Sequence, residues 1–281
     1  GHRRPRYDRP MTEIDIRIDG RAGRITLNRP DALNALSWEM CRRIDAALID
    51  WTNAPDVRLV VIDAVGERAF CAGGDLTEMY RTGMAGDFDY GRRFWTDEYR
   101  MNRRLFRFPK PVVSFLQGHV LGGGVGVGCH GSHRIVCDSS RIAMPECGVG
   151  LVPDVGGSYL LGQAPGRLGE YLGTTGARMK AGDAIHAGFA DYFIPFDDWP
   201  TLKEALSRQG DPALVDEAAT PAPASALARD QPRIDHHFAG ETFGDILRAL
   251  RAERSEENAA DLMAFDRNSP LAMACAIQIV H

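Results

Sequence analysis

Two acids lie close together in the chain, Glu146 in Met144-Pro145-Glu146 and Asp154 in Pro153-Asp154-Val155-Gly156-Gly157. Two glycine-rich stretches precede them, Ala69-Phe70-Cys71-Ala72-Gly73-Gly74-Asp75 and His119-Val120-Leu121-Gly122-Gly123-Gly124-Val125-Gly126. Each follows an apolar β-type run and is short of side chains that would shield backbone N–H groups. Two such groups aimed at one point stabilise an oxygen that becomes negative during a reaction. Acids beside them suit acyl transfer or hydrolysis at a thioester. A lone acid in a loop is more often a surface or capping group, and Asp154 stands where it could cap a helix beginning near Gly156. Its company with Glu146 and the two glycine stretches favours chemistry instead. Pro145 fixes the backbone ahead of Glu146, and the weakly polar surroundings should desolvate its carboxyl and raise its pKa.

Other chemistries have less support. The glycines are not followed by Gly-Lys-Ser/Thr and fit the GxGxxG register poorly, which argues against Walker or Rossmann nucleotide binding. Ser114, Ser158 and Cys71 lack a nucleophile elbow or a Cys/His signature. His119 and the pair His236-His237 have no partners at a metal-ligand spacing, so no metal is expected.

These residues need elements to position them. Alternating side chains over 13–18 and 23–27 predict a hairpin turning at 19–23. Ser37 can cap a helix of about four turns, in which Met40, Ile44, Ala47, Leu48 and Trp51 recur at helical spacing. The runs 57–64 and 112–116 read as strands buried on both faces, each delivering the chain to a glycine stretch. A long aromatic-rich helix is predicted over 87–106 and a glycine-rich one from about Gly123 to His130. Strands over 134–138 and 141–144 then lead to the loop with both acids. Repeated β-β-α units of this kind stack into a spiral, an α/β fold. After 165 the pattern becomes mostly helical, with a short strand at 191–194 and an irregular connection at 220–226 marked by Pro221 and Pro223. The expected organisation is a mobile tail over 1–10, a spiral core over 11–195 and a helical C-terminal region over 196–281.

The chain has 281 residues, of which 44% are hydrophobic and 25% charged, with a formal net charge of -5. That length supports one large core, and the charge gives no general attraction for nucleic acid or an anionic membrane. The six cysteines form no CxxC pair, which fits a reducing cytoplasmic setting. No apolar stretch reaches the ~20 residues that span a bilayer. The basic start has no apolar segment behind it, so no signal peptide or anchor is expected.

Asn28-Arg29-Pro30 with Asn34-Ala35-Leu36, the 69–75 loop, the 122–126 stretch and 153–157 together resemble the crotonase superfamily over residues 13 to about 195. Hydratases of that superfamily carry one glutamate four residues after the opening glycine of the GGG turn and another in a later Pro-Glu motif. Here the first position is Gly126 and the second is Glu146, while Asp154 replaces a usual glycine. With Glu98-Tyr99 upstream, this combination resembles the 3-hydroxyisobutyryl-CoA hydrolase branch. The resemblance implies hydrolysis of a short 3-hydroxyacyl-CoA, with enoyl-CoA hydration or isomerisation, or silent acyl-CoA binding, as the alternatives. It implies that the amides of Gly74 and Gly123 hold the thioester oxygen, the latter at a helix N-terminus. Glu146 would act as nucleophile or general base, Asp154 would orient water or substrate, and Glu98 would bind the 3-hydroxyl. Gly73, Asp75, Gly122, Ala35 and Leu36 would contact substrate. CoA arrives as part of the substrate, no separate cofactor is implied, and the resemblance leaves open a homo-oligomer, as in the trimers or dimers of trimers of crotonase relatives, or a monomer, as in the hydrolase branch. Members of the branch usually continue well beyond the segment resembling Ser269-Pro270-Leu271, with helices that help close the acyl pocket. This chain stops at His281, so that wall is either cut short or built differently.

Overall fold

The computed structural model describes residues 12–281, so the expected tail over 1–10 lies outside the described residues. β1 (Ile14–Asp19) and β2 (Ala22–Leu27) form the antiparallel hairpin. α1 (Trp38–Thr52) starts where Ser37 Oγ accepts from the Met40 amide at 3.2 Å, and it buries the five residues that recur at helical spacing. β3 (Leu59–Ala64) and β4 (Ala69–Cys71) are followed by α2 (Leu76–Met84) and α3 (Asp89–Phe106). β5 (Val112–Leu116) and β6 (His119–Leu121) are followed by α4 (Gly123–Gly128). β7 (His133–Val136) and β8 (Arg141–Ala143) lead through a 3-10 turn, Glu146–Val149, to α5 (Gly157–Gln163). α6 (Leu168–Thr175), α7 (Ala181–His186) and β9 (Tyr192–Phe193) complete this part.

Alternate strands go to different sheets, and that is what makes the spiral. β3, β5 and β7 join β1, β2 and β9 in a six-stranded sheet of order β1-β2-β3-β5-β7-β9, while β4, β6 and β8 form a second sheet in that order. Apart from the hairpin, every pairing is parallel. Each turn therefore contributes a strand to each sheet and then helix, as the repeated β-β-α pattern predicts. Three elements differ from the sequence expectation. β4 and β6 are three-residue strands inside stretches read as glycine loops, too short to show alternation. α2 was not anticipated, because it is exposed along most of its length and buries only Thr82.

The remaining helices are α8 (Trp199–Gln209), α9 (Ala213–Ala218), α10 (Ala226–His237), α11 (Phe243–Ala252), α12 (Glu256–Arg267) and α13 (Pro270–Val280). They do not stand apart from the sheets. Trp199, Leu202 and Leu206 of α8 and Val215 of α9 pack on Leu59, Val61, Val113 and Phe115, forming a core on one face of the large sheet. The larger core on the other side joins α1 and α3 to the strands and reaches Ala272, Met273 and Ile277 of α13. Among the described residues no helix is long and apolar enough to cross a membrane.

A buried ion cluster ties α8 to the large sheet. Asp63 on β3 accepts from Arg24 Nη2 at 3.0 Å, Thr26 Oγ1 at 2.6 Å and Lys203 Nζ at 2.9 Å. Burial alone would raise the Asp63 pKa, but Lys203, Thr26 and Arg24 outweigh it and hold the carboxyl below its ordinary value. Asp63→Ala should destabilise the fold by ~3 kcal/mol, because buried Arg24 keeps only its longer contacts to Asp19 at 3.5 Å and Ser207 at 3.4 Å. A depressed folded-state pKa stabilises above the unfolded value of about 4 and is lost as pH falls below it. Denaturant melts should therefore show the difference between wild type and variant shrinking in acid. A constant difference from pH 7 to pH 3 would contradict this account.

Candidate active site

All three strands of the small sheet are parallel, so their carboxyl ends lie on the same side, and each delivers one part of the site. β4 runs into Gly73-Gly74, β6 into Gly122-Gly123, and β8 into Pro145-Glu146. α3 brings Glu98 across from its buried face, and the loop before α5 brings Asp154. Together these residues line a cavity of about 340 Å³ whose apolar wall includes Leu76, Met79, Phe94, Trp95 and Leu151.

The glycines are required here. Gly73 (φ +117°) and Gly122 (φ +51°) adopt backbone conformations that side-chain-bearing residues rarely enter. A Cβ on Gly122 would lie 2.7 Å from Glu146 Oε1. One on Gly123 would lie 2.9 Å from Glu98 Oε1 and 3.0 Å from the Gly74 nitrogen, which places both carboxyls beside the glycine amides. Among the described residues no backbone carbonyl accepts from the Gly74 or the Gly123 amide. α4, which Gly123 opens, is six residues long rather than the eight expected, ending where the chain turns toward β7. The orphan amides of its first turn matter more here than a macrodipole.

The acids are withdrawn from water and crowd one another. Glu98 is 2% exposed and Glu146 8%. Burial, then the charges of Asp154 and Glu146, push the Glu98 carboxyl up to about 8. Burial also pushes Glu146 up to about 8, with its own backbone amide pulling down and Asp154 adding to the rise. Glu146 Oε2 is buried and has no hydrogen-bond partner among the described residues. Asp154 is raised by burial and partly relieved by Tyr99, whose hydroxyl donates to Oδ2 at 2.5 Å. Near neutrality the cavity therefore holds protons as well as carboxylates, the condition for acid and base work.

Glu98, Glu146, Asp154, Gly73, Gly74, Gly122 and Gly123 are all brought to this cavity. Asp75, Ala35 and Leu36 are not among its lining residues. Asp75 caps α2 through the Thr77 amide at 3.0 Å and pairs with Arg29 at 2.9 Å, which uses its carboxylate structurally. The Ala35 carbonyl accepts from Arg29 Nη1, and Leu36 bridges the Gly73–Asp75 backbone, so these two hold the glycine turn from behind. Asp154 does not cap α5, whose N-cap is Gly156. Tyr99 was missed as its partner because the contact spans 55 residues.

The remaining candidates fall elsewhere. Cys71 is fully buried with its thiol pushed up to about 12 by burial, and Ser114 is fully buried, so neither is a ready nucleophile. His236 and His237 do have a carboxylate neighbour, Glu253, with ligand atoms within 4.8 Å of one another. The His237 ring already contacts the Arg233 carbonyl, Glu253 and Asn258, which accounts for its burial.

Gly126 is closely packed. A Cβ there would lie 2.8 Å from Asn102 Nδ2 and 2.8 Å from Val155 Cβ, so the space a glutamate would need is filled.

The spiral of paired strands and the glycine turns at their carboxyl ends define a crotonase fold, and the model of the enoyl-CoA hydratase/isomerase family matches residues 22–281. The chain belongs to that family. It is 37% identical to the 3-hydroxyisobutyryl-CoA hydrolase, mitochondrial, of Xenopus tropicalis, across 90% of this chain and 69% of the relative. It is 35% identical to 3-hydroxyisobutyryl-CoA hydrolase 1 of Arabidopsis thaliana, across 92% and 71%. Among solved structures, an enoyl-CoA hydratase from Rhodobacter sphaeroides 2.4.1 matches with a TM-score of 0.91 and 53% identity, covering 96% of this chain and 78% of the other. A carnitinyl-CoA dehydratase from Mycobacterium thermoresistibile matches with a TM-score of 0.92 and 41% identity, covering 95% and 78%.

Proposed function

We propose that this chain hydrolyses the thioester of a short 3-hydroxyacyl-CoA, with 3-hydroxyisobutyryl-CoA as the first substrate to test. The observation that carries the proposal is the gathering of Glu98, Glu146 and Asp154 beside the free amides of Gly74 and Gly123, while position 126 has no room for a second hydratase glutamate. The names of the hydrolase relatives agree with it. A cavity of about 340 Å³ is at the small end of ligand pockets and suits a short acyl group.

In this reading the thioester oxygen accepts from both glycine amides, which hold the negative charge that develops on it. Ionised Glu146 either attacks the carbonyl carbon or takes a proton from a water that does so. In the first case a Glu–acyl anhydride forms as the C–S bond breaks. A protonated neighbouring acid supplies the proton for the departing thiolate, and water then releases the free acid and restores Glu146. In the second case water adds directly and the same bond breaks. Asp154, held by Tyr99, orients the water or the substrate hydroxyl, and Glu98 binds the 3-hydroxy group.

The names of the two solved structures favour a second reading, water addition to or removal from an enoyl-CoA with Glu146 as sole acid and base. One assay separates the two. Purified chain mixed with 3-hydroxyisobutyryl-CoA should release free thiol, and mixed with crotonyl-CoA it should leave the enoyl absorbance unchanged. Loss of that absorbance without thiol release would replace the hydrolase reading with the hydratase one.

A further inference from the structure

We propose that His130 is a positioning residue for Asp154: its imidazole clamps the Val155 turn in a left-handed conformation and so keeps the Asp154 carboxyl on the cavity wall. This rests on the reading of Asp154 as part of the hydrolytic site. Val155 has φ +48°, and of the non-glycine residues with positive φ among the described residues, Leu33, Asn34 and Val155, it alone is β-branched. Such a residue in this region is a steric outlier that something must hold in place. Gly156 follows with φ +75°, and the Gly157 amide donates to the Asp154 carbonyl at 2.6 Å, so the turn reverses the chain directly after the acid.

The holding contact is the imidazole. His130 Nε2 lies 2.7 Å from the Val155 carbonyl oxygen, which can only accept, so Nε2 carries the proton. Nδ1 is then the lone-pair nitrogen, and it is buried with no partner among the described residues. The ring is pressed against the turn: a Cβ on Gly156 would lie 2.5 Å from His130 Nε2. Phe106 meets the ring edge-on, with centroids 6.0 Å apart. Burial lowers the His130 pKa, with the Val155 carbonyl pulling up and Arg134 adding to the fall, in keeping with a neutral ring. The Val155 side chain fills the notch over Gly126 beside the Asn102 amide, so the turn is fixed from both sides. His130 is not among the residues lining the cavity that holds Glu98 and Glu146, but it lines an adjoining cavity of about 430 Å³ with Tyr99, Asp154 and Val155. Its hydrogen bond reaches Asp154 through the neighbouring Val155 carbonyl.

The test compares His130→Leu, which keeps bulk beside Phe106 but removes the donor, with His130→Gln, which presents an N–H at similar reach. A crystal structure of the leucine variant should show Val155 out of the left-handed region and Asp154 displaced from Tyr99. Its kcat for thiol release should fall by about 10- to 100-fold with KM within about threefold, the cost of a misplaced group rather than a lost binding contact. The glutamine variant should recover most of the kcat. The proposal is overturned if the leucine variant keeps both the Val155 conformation and its kcat, or if glutamine does no better than leucine. Should leucine prevent folding, His130→Asn takes its place, its shorter amide falling short of the carbonyl, and it must lose kcat that glutamine keeps. If wild type releases no thiol, the hydrolase reading fails, while the crystallographic comparison still decides the clamp.

Discussion

Glu146→Gln is expected to lower thiol release by about 10³-fold while leaving the fold intact or more stable, because the substitution removes a group that burial holds against its ordinary chemistry. The carboxyl is pushed up to about 8 in the folded chain, against about 4.3 for an unperturbed glutamate. For an acid whose folded pKa is raised, ionisation favours the unfolded state, so its presence costs stability as pH rises between those two values. Glutamine cannot ionise. The variant should thus melt above wild type, with the margin growing from about pH 4.5 to about pH 8 and level beyond that. Wild-type kcat/KM should rise over the same interval, since nucleophile and base alike need the ionised form. Thermal melts and a pH-rate profile measure both. An active variant, or an inactive one that melts lower at pH 8 than at pH 5 relative to wild type, would remove Glu146 from its role.

The difference between what was legible in the chain and what was not follows the range of the interactions. α1 was readable because its buried residues recur every three or four positions behind a capping serine, all within one segment. The glycine pairs and Glu146 were readable because each sits at a strand end that its own flanking residues define. Contacts between segments left weaker traces. Asp75 carries the composition of a site residue, but only the approach of Arg29 and the start of α2 shows that it is a cap. Nothing near Gly126 announces that Asn102 and Val155 occupy the space above it. The same holds for Tyr99 on Asp154 and for Glu253 beside His236-His237, whose partners come from other elements. The helices from 199 onward read only as a helical C-terminal region, and nothing within their own segments shows that Trp199 and Leu206 close a face of the large sheet.

Gly123→Ala should cost about 10² to 10³ in kcat/KM for thiol release, the loss that follows removal of one oxyanion donor. Its methyl group would enter the space between the Gly74 nitrogen, 3.0 Å away, and Glu98 Oε1, 2.9 Å away, where the proposed thioester oxygen has to sit. The fold should survive, because the tightest of these contacts is the end of a flexible side chain and the Gly123 backbone is helical with no positive φ. The neighbouring position supplies the contrast. A methyl group on Gly124 would lie 2.1 Å from the Cys71 carbonyl oxygen, a backbone atom of β4 that cannot move without breaking the small sheet. Overpacking of that kind typically costs 1–3 kcal/mol or more, so Gly124→Ala should lose stability and activity together. Melting curves beside the thiol assay distinguish the two: activity lost at unchanged melting temperature for position 123, both lost for position 124. Activity within threefold of wild type in a folded Gly123→Ala chain would mean that the thioester oxygen is held somewhere other than between these two glycine amides.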